Sequence, residues 1–311
     1  MIKDFPYIKV NEAVNEWATR ELKKKKLKFD SDLPSYLQLK NHESKTISIR
    51  KREVTLANSF KVPTQDQNGF DKLKLAITNG ENLNPYLSRK LFDANFVDGM
   101  LDYFNCYHFH LGVRKKGRFI QGTKHIAIAI VNLKEIFFVD VLPHGKSTWN
   151  SIDILEIIHN ERPELIESFK VNLLKNTSHD VTTTEEIKLL KENGDNFPIT
   201  LKDGTMYMAA KGGQVSTRYK PSEDSQFSID EKIAPRFALF HFLQNQYLCR
   251  LIHQKILLEL NKFINEKKFI IHDCYLCEFE SDKDSNLTKF CLTIVFMKNL
   301  KFDRQTIVIY I

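Results

Sequence analysis

In the stretch NCYHFHLG (105–112) two histidines stand two positions apart and a glycine follows them. Side chains alternate along a strand, so His108 and His110 share one face with Cys106, while Tyr107, Phe109 and Leu111 share the other. The aromatic and aliphatic side is expected to be core and the imidazole side to be open. His144 follows a later apolar run in VLPHG, and His125 begins another in HIAIAIV. Imidazole has an ordinary pKa near neutrality, so neighbouring histidines can exchange protons with a ribose hydroxyl or a leaving oxygen. The intervening segment VRKKGRFIQGTK carries Arg114, Lys115, Lys116, Arg118 and Lys124. Cations beside imidazoles suit a phosphodiester, with the cations holding the phosphate and the histidines moving protons. The candidate acting set is therefore His108, His110 and His144, with Arg114, Lys116, Arg118 and Lys124 as candidate phosphate contacts.

Other uses of these residues compete. Strand histidines also serve as hydrogen-bonded structural groups. A His-x-His pair can chelate an ion, but beyond Asp140 no acidic third ligand is evident, and no metal is expected. His144, Asn150 and His159 superficially have the composition of an HNH nuclease. Asn150 and His159 fall at opposite ends of one expected helix, however, and roughly two and a half turns of rise separate them. Cys274 and Cys277 form a CxxC within a strand pattern, where residues three apart face opposite sides. A zinc site with Cys291 or His272 is accordingly not expected, and no cofactor is called for.

The chain has 311 residues, 42% of them hydrophobic, enough for a sizeable core. Lys and Arg number 46 against 39 Asp and Glu, a net charge of +7 that mildly favours phosphate-bearing partners. The five cysteines sit in apolar runs and read as reduced, buried thiols of a cytoplasmic protein. MIKDFPYIKVNEAVNEW lacks the apolar core and small-residue cleavage site of a secretory signal. No window approaches the roughly 20 apolar residues of a membrane span. Low Gly and Pro content excludes collagen-like and wholly disordered classes.

The elements that must position the candidate site are read from periodicity. Residues 11–28 form a helix with Val14, Trp17, Ala18 and Leu22 on one side and Lys23–Lys26 at a solvated end. Residues 45–60 hold a strand or two, with Arg50, Lys51 and Arg52 as a second basic cluster, and 64–87 a short helix stopped at Asn79-Gly80. Residues 106–113, 125–132 and 135–142 form an antiparallel meander of three strands. A helix follows, capped by Ser147, Asn150 or Ser151, with Ile154, Leu155, Ile157 and Ile158 on its apolar side and Pro163 at its break. A capped helix is expected over 182–194, a hairpin turning at Asp203-Gly204, and a long amphipathic helix or helix pair over 230–268. Three further strands occupy 269–279, 287–297 and 305–311. The fold class is α+β: a central antiparallel β-meander with flanking helices, then a long helical segment and a second three-stranded antiparallel meander. The expected domains are 1–80, an N-terminal helix and basic strand region; 81–222, the central domain with the site; and 223–311, helix plus meander.

The block from PYLSRKLFDANFVDGMLDYFNCYHFHLG through IAIAIVNLKEIFFVDVLPHG and DILEIIHNERPELI to LKDGTMYMAAKGGQ resembles a family of bacterial proteins without assigned function. In that family a His-x-His-Leu-Gly strand precedes a hairpin ending in His, followed by a Leu-Glu-Ile-Ile-His helix and an Asp-Gly-Thr hairpin. The likeness covers about residues 85–215 and is carried by His108, His110, Gly112, His144, His159, Pro163 and Glu164. This chain departs from it in having Arg162 in place of a tryptophan and only Gly212-Gly213 of a glycine triplet. The meander is also similar in topology to the centre of RelE/YoeB-type messenger-RNA endonuclease toxins, which combine basic side chains with His or Tyr and need no metal. That likeness implies His108, His110 and His144 flanking RNA, with Arg114, Lys116 or Arg118 on phosphate.

These observations lead to an expected nucleic-acid-directed cytoplasmic protein, with RNA ahead of DNA. It would be a metal-independent RNase-like toxin or phage-defence effector using histidine acid/base chemistry, with no membrane association. A non-catalytic binding or scaffold module, and a metal-dependent nuclease, stand as alternatives. A protein partner or homo-oligomer is left open.

Overall fold

The computed structural model describes residues 10–145, 151–171 and 198–210, parts of 183–187 and 254–262, and the backbone of three strands between 270 and 310. Two helices, α1 (Val10–Lys24) and α2 (Ser35–Lys45), open the described chain. Residues Met1–Lys40 with Leu239–Ile311 form one compact unit and Asn41–Ala238 another, the boundary falling within α2.

The class is α+β. The candidate site belongs to the unit Asn41–Ala238. Its elements in order are β1 (Glu53–Leu56), α3 (Gln67–Asn79), α4 (Gly99–Phe104), β2 (Tyr107–His110), β3 (Lys115–Lys116), β4 (Phe119–Ile120), β5 (His125–Val131), β6 (Glu135–Pro143), α5 (Asp153–Glu161), β7 (Ile199–Thr200) and β8 (Met206–Tyr207). The expected meander forms: β2 pairs antiparallel with β5, and β5 with β6. One strand of the 45–60 region, β1, adds parallel to β6, giving the order β1-β6-β5-β2. The basic link between β2 and β5 folds into its own small hairpin, β3–β4, turning at Gly117 (φ 67°).

The sheet departs from expectation in being covered on both sides. One face packs Phe109, Leu111, Ala127, Ala129, Ile136 and Phe138 against Phe70, Leu73 and Ile77 of α3. The other packs Cys106, Ile126, Ile128, Ile130, Phe137 and Val139 against Met100 and Phe104 of α4 and Ile154, Leu155 and Ile158 of α5. HIAIAIV is apolar on both of its alternating sides, the composition of a strand buried twice rather than half-wet. The imidazole face of β2 is therefore not the open face: His108 is 6% exposed.

Helix ends follow local chemistry. α3 stops where Gly80 adopts the left-handed conformation (φ 74°), which spares a side chain that strain. α5 ends at Arg162 and Pro163 starts a short 3-10 turn, since proline lacks the amide to continue the helix. The expected polar cap is absent: Ile152 holds the cap position of α5 without a side-chain hydrogen bond, and Asp153 and Glu156 in the first turn complement the helix dipole instead. Ser147 and Asn150 lie outside the described residues. The hairpin at Asp203-Gly204 forms as β7–β8, with Gly204 at φ 85°. At 183–186, Thr183 and Glu186 bond reciprocally in a capping box.

In the other unit, Val14, Trp17, Ala18 and Leu22 of α1 are buried, and Lys23–Lys26 are exposed as a solvated helix end. β9 (Ile270–Ser281), β10 (Thr288–Lys298) and β11 (Lys301–Tyr310) form the expected antiparallel sheet in the order β11-β10-β9. Cys274 and Cys277 both fall on β9, whose pairing with β10 is irregular between Glu278 and Leu276. Most of 211–269 lies outside the described residues, including Gly212-Gly213 and most of the expected long helix.

Candidate functional site

β2 and β6 are separated only by β5, and register places the three histidines on one face. His110 pairs with Ile126, which pairs with Leu142, two residues before His144. The His144 amide donates to the Lys124 carbonyl (2.7 Å), extending the β5–β6 ladder one step past its end. Alternation then aims the three rings at each other. Ring centroids are 6.0 Å apart for His108 and His110, 6.5 Å for His108 and His144, and 5.3 Å for the stacked pair His110 and His144. The cluster is graded in exposure: His108 buried, His110 half-buried, His144 exposed.

Glycines permit this crowding. A Cβ on Gly112 would fall 2.1 Å from the Gln121 carbonyl oxygen, so the strand must end in glycine where the basic hairpin returns beside it. A Cβ on Gly69 of α3 would fall 1.6 Å from the Leu111 carbonyl oxygen, on the neighbouring residue. Gly122 lies against the His110 ring, where a Cβ would stand 3.9 Å from Nδ1. Between these points the Gln121 amide donates to the Arg114 carbonyl (2.8 Å), so the β3–β4 hairpin springs from the edge of the cluster.

Burial governs the electrostatics. The pKa of His110 is held down at about 4, first by desolvation and then by His108, His144 and Arg89. His110 is therefore neutral at pH 7, and its Nδ1 makes no hydrogen bond among the described residues. His108 is also lowered, chiefly by burial, with Asp98 opposing and His144 adding to the effect. Asp98 caps α4, accepting from the Met100 and Leu101 amides, and its Oδ2 lies 3.6 Å from His108 Nδ1. Asp140 occupies the register row His108–Ile128–Asp140 and is raised by burial, with Asp153 adding to the rise. Cys106 beneath the cluster gives its thiol to the Phe104 carbonyl (3.3 Å), and burial pushes its pKa up, leaving it unreactive.

All four candidate phosphate contacts are exposed. Arg114, Lys116 and Arg118 stand on the hairpin and Lys124 beside the β5–β6 end. Arg118 lies over the Phe92 ring (5.1 Å), and Phe92 meets Phe119 edge-on, tying the 3-10 turn Arg89–Phe92 to the hairpin. The structure thus adds Arg89 and Asp98 to the neighbourhood. Asp98 has a sequence signal, an Asp directly before Gly-Met-Leu at a helix start; Arg89 has none.

The remaining described histidines are fixed elsewhere. His125 Nδ1 donates to the buried Asp66 (2.7 Å), pinning the start of α3 to β5. His159 on α5 donates from Nε2 to Asp203 (2.9 Å) and accepts at Nδ1 from the Tyr207 hydroxyl (2.8 Å), which latches the β7–β8 hairpin. His144 and His159 therefore belong to different clusters, while Asn150, the remaining residue of the HNH pattern, lies outside the described residues. Arg162, where the resembled family has tryptophan, bonds Glu135 of β6 and Glu164 and lies over Phe137. Among the described residues no three His, Cys, Asp or Glu side chains are placed to hold a metal ion, and no helix is long and apolar enough to cross a membrane. No protein-family model, curated protein or solved structure matches the chain.

Proposed function

We propose that the chain is a metal-independent, RNase-like protein acting on RNA in the cytoplasm, in the manner of a toxin or phage-defence effector. The observation that carries this reading is the convergence of the His108, His110 and His144 rings within 5.3–6.5 Å of one another beside an exposed basic hairpin. His110, neutral at pH 7, takes the proton from a ribose 2′-hydroxyl. The 2′-oxygen bonds to phosphorus, the bond from phosphorus to the 5′-oxygen breaks, and His144 gives its proton to that oxygen. The products are a 2′,3′-cyclic phosphate and a 5′-hydroxyl end, with one proton gained by His110 and one lost by His144. Arg114, Lys116 and Lys124 hold the backbone, and Arg89 faces the same ring. A pKa of about 4 makes a weak base, but an anionic phosphate seated against the rings favours the charged imidazole and raises it. No cofactor enters the scheme.

Purified protein is to be incubated with RNA in chelator, alongside His108→Ala and His110→Ala. Cleavage by the wild type leaving cyclic phosphate ends, with a loss of roughly 10²–10⁴-fold in His110→Ala, is expected. Equal cleavage by all three proteins, or none by any, would contradict it.

A non-catalytic binding module is the second reading, favoured by the burial of His108, which is 6% exposed and so resembles a packed core group. On that reading histidine-to-alanine changes shift the melting temperature but no phenotype in vivo.

A further inference from the structure

We infer that Asp98 and His108 form a buried positioning pair for the histidine site, completing a line of carboxylate and three imidazoles from the interior to solvent. The inference rests on the reading of His110 and His144 as the acting pair. With 7% of its side chain exposed, His108 cannot itself meet a substrate and must act through its neighbours.

The Asp98 carboxylate is held by two backbone amides, those of Met100 and Leu101, and its side chain is 15% exposed, so it cannot swing away. Its Oδ2 stands 3.6 Å from His108 Nδ1. That separation is longer than a hydrogen bond, so the carboxylate acts through its charge, favouring the proton on Nδ1 and leaving Nε2 as the lone-pair edge. On the other side the His108 ring meets His110 and His144 edge-on, at 6.0 and 6.5 Å. When His110 takes a proton, positive charge appears one ring away from His108 and two groups away from the carboxylate. In a partly desolvated site that negative charge favours the imidazolium.

Several described charged and titratable groups surround the pair. Lys45 of α2 and Tyr107 line the same crevice as Asp98 and His108. The Lys45 ammonium is bonded to the Phe96 carbonyl, and the Tyr107 hydroxyl, its pKa pushed up to about 12, donates to the Ser44 carbonyl. His110 and His144 face the pair from the sheet, Asp140 lies along the His108 register row, and Arg89 faces His110. Asp98 is the anion placed within 4 Å of His108 among these described groups.

Asp98→Asn isolates the charge, because asparagine caps a helix about as well as aspartate and can keep the bonds to Met100 and Leu101. The test combines nitrogen-15 and proton NMR of the imidazoles with RNA cleavage in chelator across pH. In the wild type His108 is expected as the Nδ1–H tautomer; this needs no variant and stands even if Asp98→Asn folds poorly. In Asp98→Asn the His108 titration is expected to move to lower pH, because the carboxylate opposes the lowering by burial, and kcat to fall roughly tenfold with KM unchanged. An Nε2–H tautomer for His108, or a His108 titration unmoved in Asp98→Asn, overturns the pair. Absence of cleavage by the wild type at every pH, with both NMR results as expected, overturns the ribonuclease reading instead and leaves the coupling standing.

Discussion

Two histidine centres in the unit Asn41–Ala238 use the same side chain to opposite ends. At α5, both ring nitrogens of His159 are committed, one to Asp203 and one to the Tyr207 hydroxyl, and Asp203 is drawn down to about 2, first by the Thr205 amide and then by His159. At the end of the central sheet, the buried Nδ1 of His110 has no hydrogen bond among the described residues, and the ring stacks on another imidazole. A histidine with every polar atom paired holds two elements together. A histidine held neutral, crowded by others and left with a lone pair is poised to accept a proton, at a cost to stability. The two centres therefore differ in how far their ring nitrogens are committed to hydrogen bonds, and the proposed chemistry belongs to the less committed one.

The first way to break this comparison is acid. The folded pKa of His110 is about 4 against an unperturbed 6.5, so between those values the unfolded chain binds more protons and stability falls as pH falls. The penalty is absent above about pH 6.5 and complete below about 4. At about 1.4 kcal/mol per unit this is roughly 3 kcal/mol. Urea unfolding of wild type and His110→Leu should therefore diverge by that amount over the window; parallel curves would mean that the ring is not desolvated. The lowered pKa of His108 acts in the same sense, and the subtraction leaves only its coupling to His110.

The latch sharpens the contrast. His159→Ala leaves the Tyr207 hydroxyl, in a residue 1% exposed, without its acceptor. A loss of about 1–3 kcal/mol in urea unfolding is expected, with RNA cleavage unchanged. A smaller effect is expected on the hairpin. Replacing Arg114 and Lys116 by Ser should lessen the slope of log affinity for single-stranded RNA against log salt by about 1.4, two phosphate contacts' worth. An unchanged slope would place the backbone elsewhere. The smallest effect belongs to Arg118→Ser, about 0.5–1 kcal/mol of stability from the lost Phe92 contact, read as a shift in melting temperature.

Legibility in the sequence tracked the range of the interaction. Alternation in CYHFHLG, HIAIAIV and EIFFVDVL yields the three strands, and parity across them brings the three imidazoles together. The same alternation misjudged which face was wet, because α4 and α5 come from separate stretches of chain and nothing in β2 records what will cover it. Asp98 carries a local signature as a helix cap, but its approach to His108 depends on how α4 returns over the sheet. The latch joins residues 44 and 48 apart, and the Asp-Gly-Thr motif marks only its turn. The parallel addition of β1 to β6 lay beyond any local pattern, since a parallel partner requires a long crossover.

The decisive experiment is the rate at which His144→Ala and His159→Ala cleave one end-labelled RNA in chelator, measured side by side with the wild type. A loss of at least roughly a hundredfold is expected in His144→Ala and a wild-type rate in His159→Ala at a temperature where both are folded. Equal rates in the two variants would contradict it.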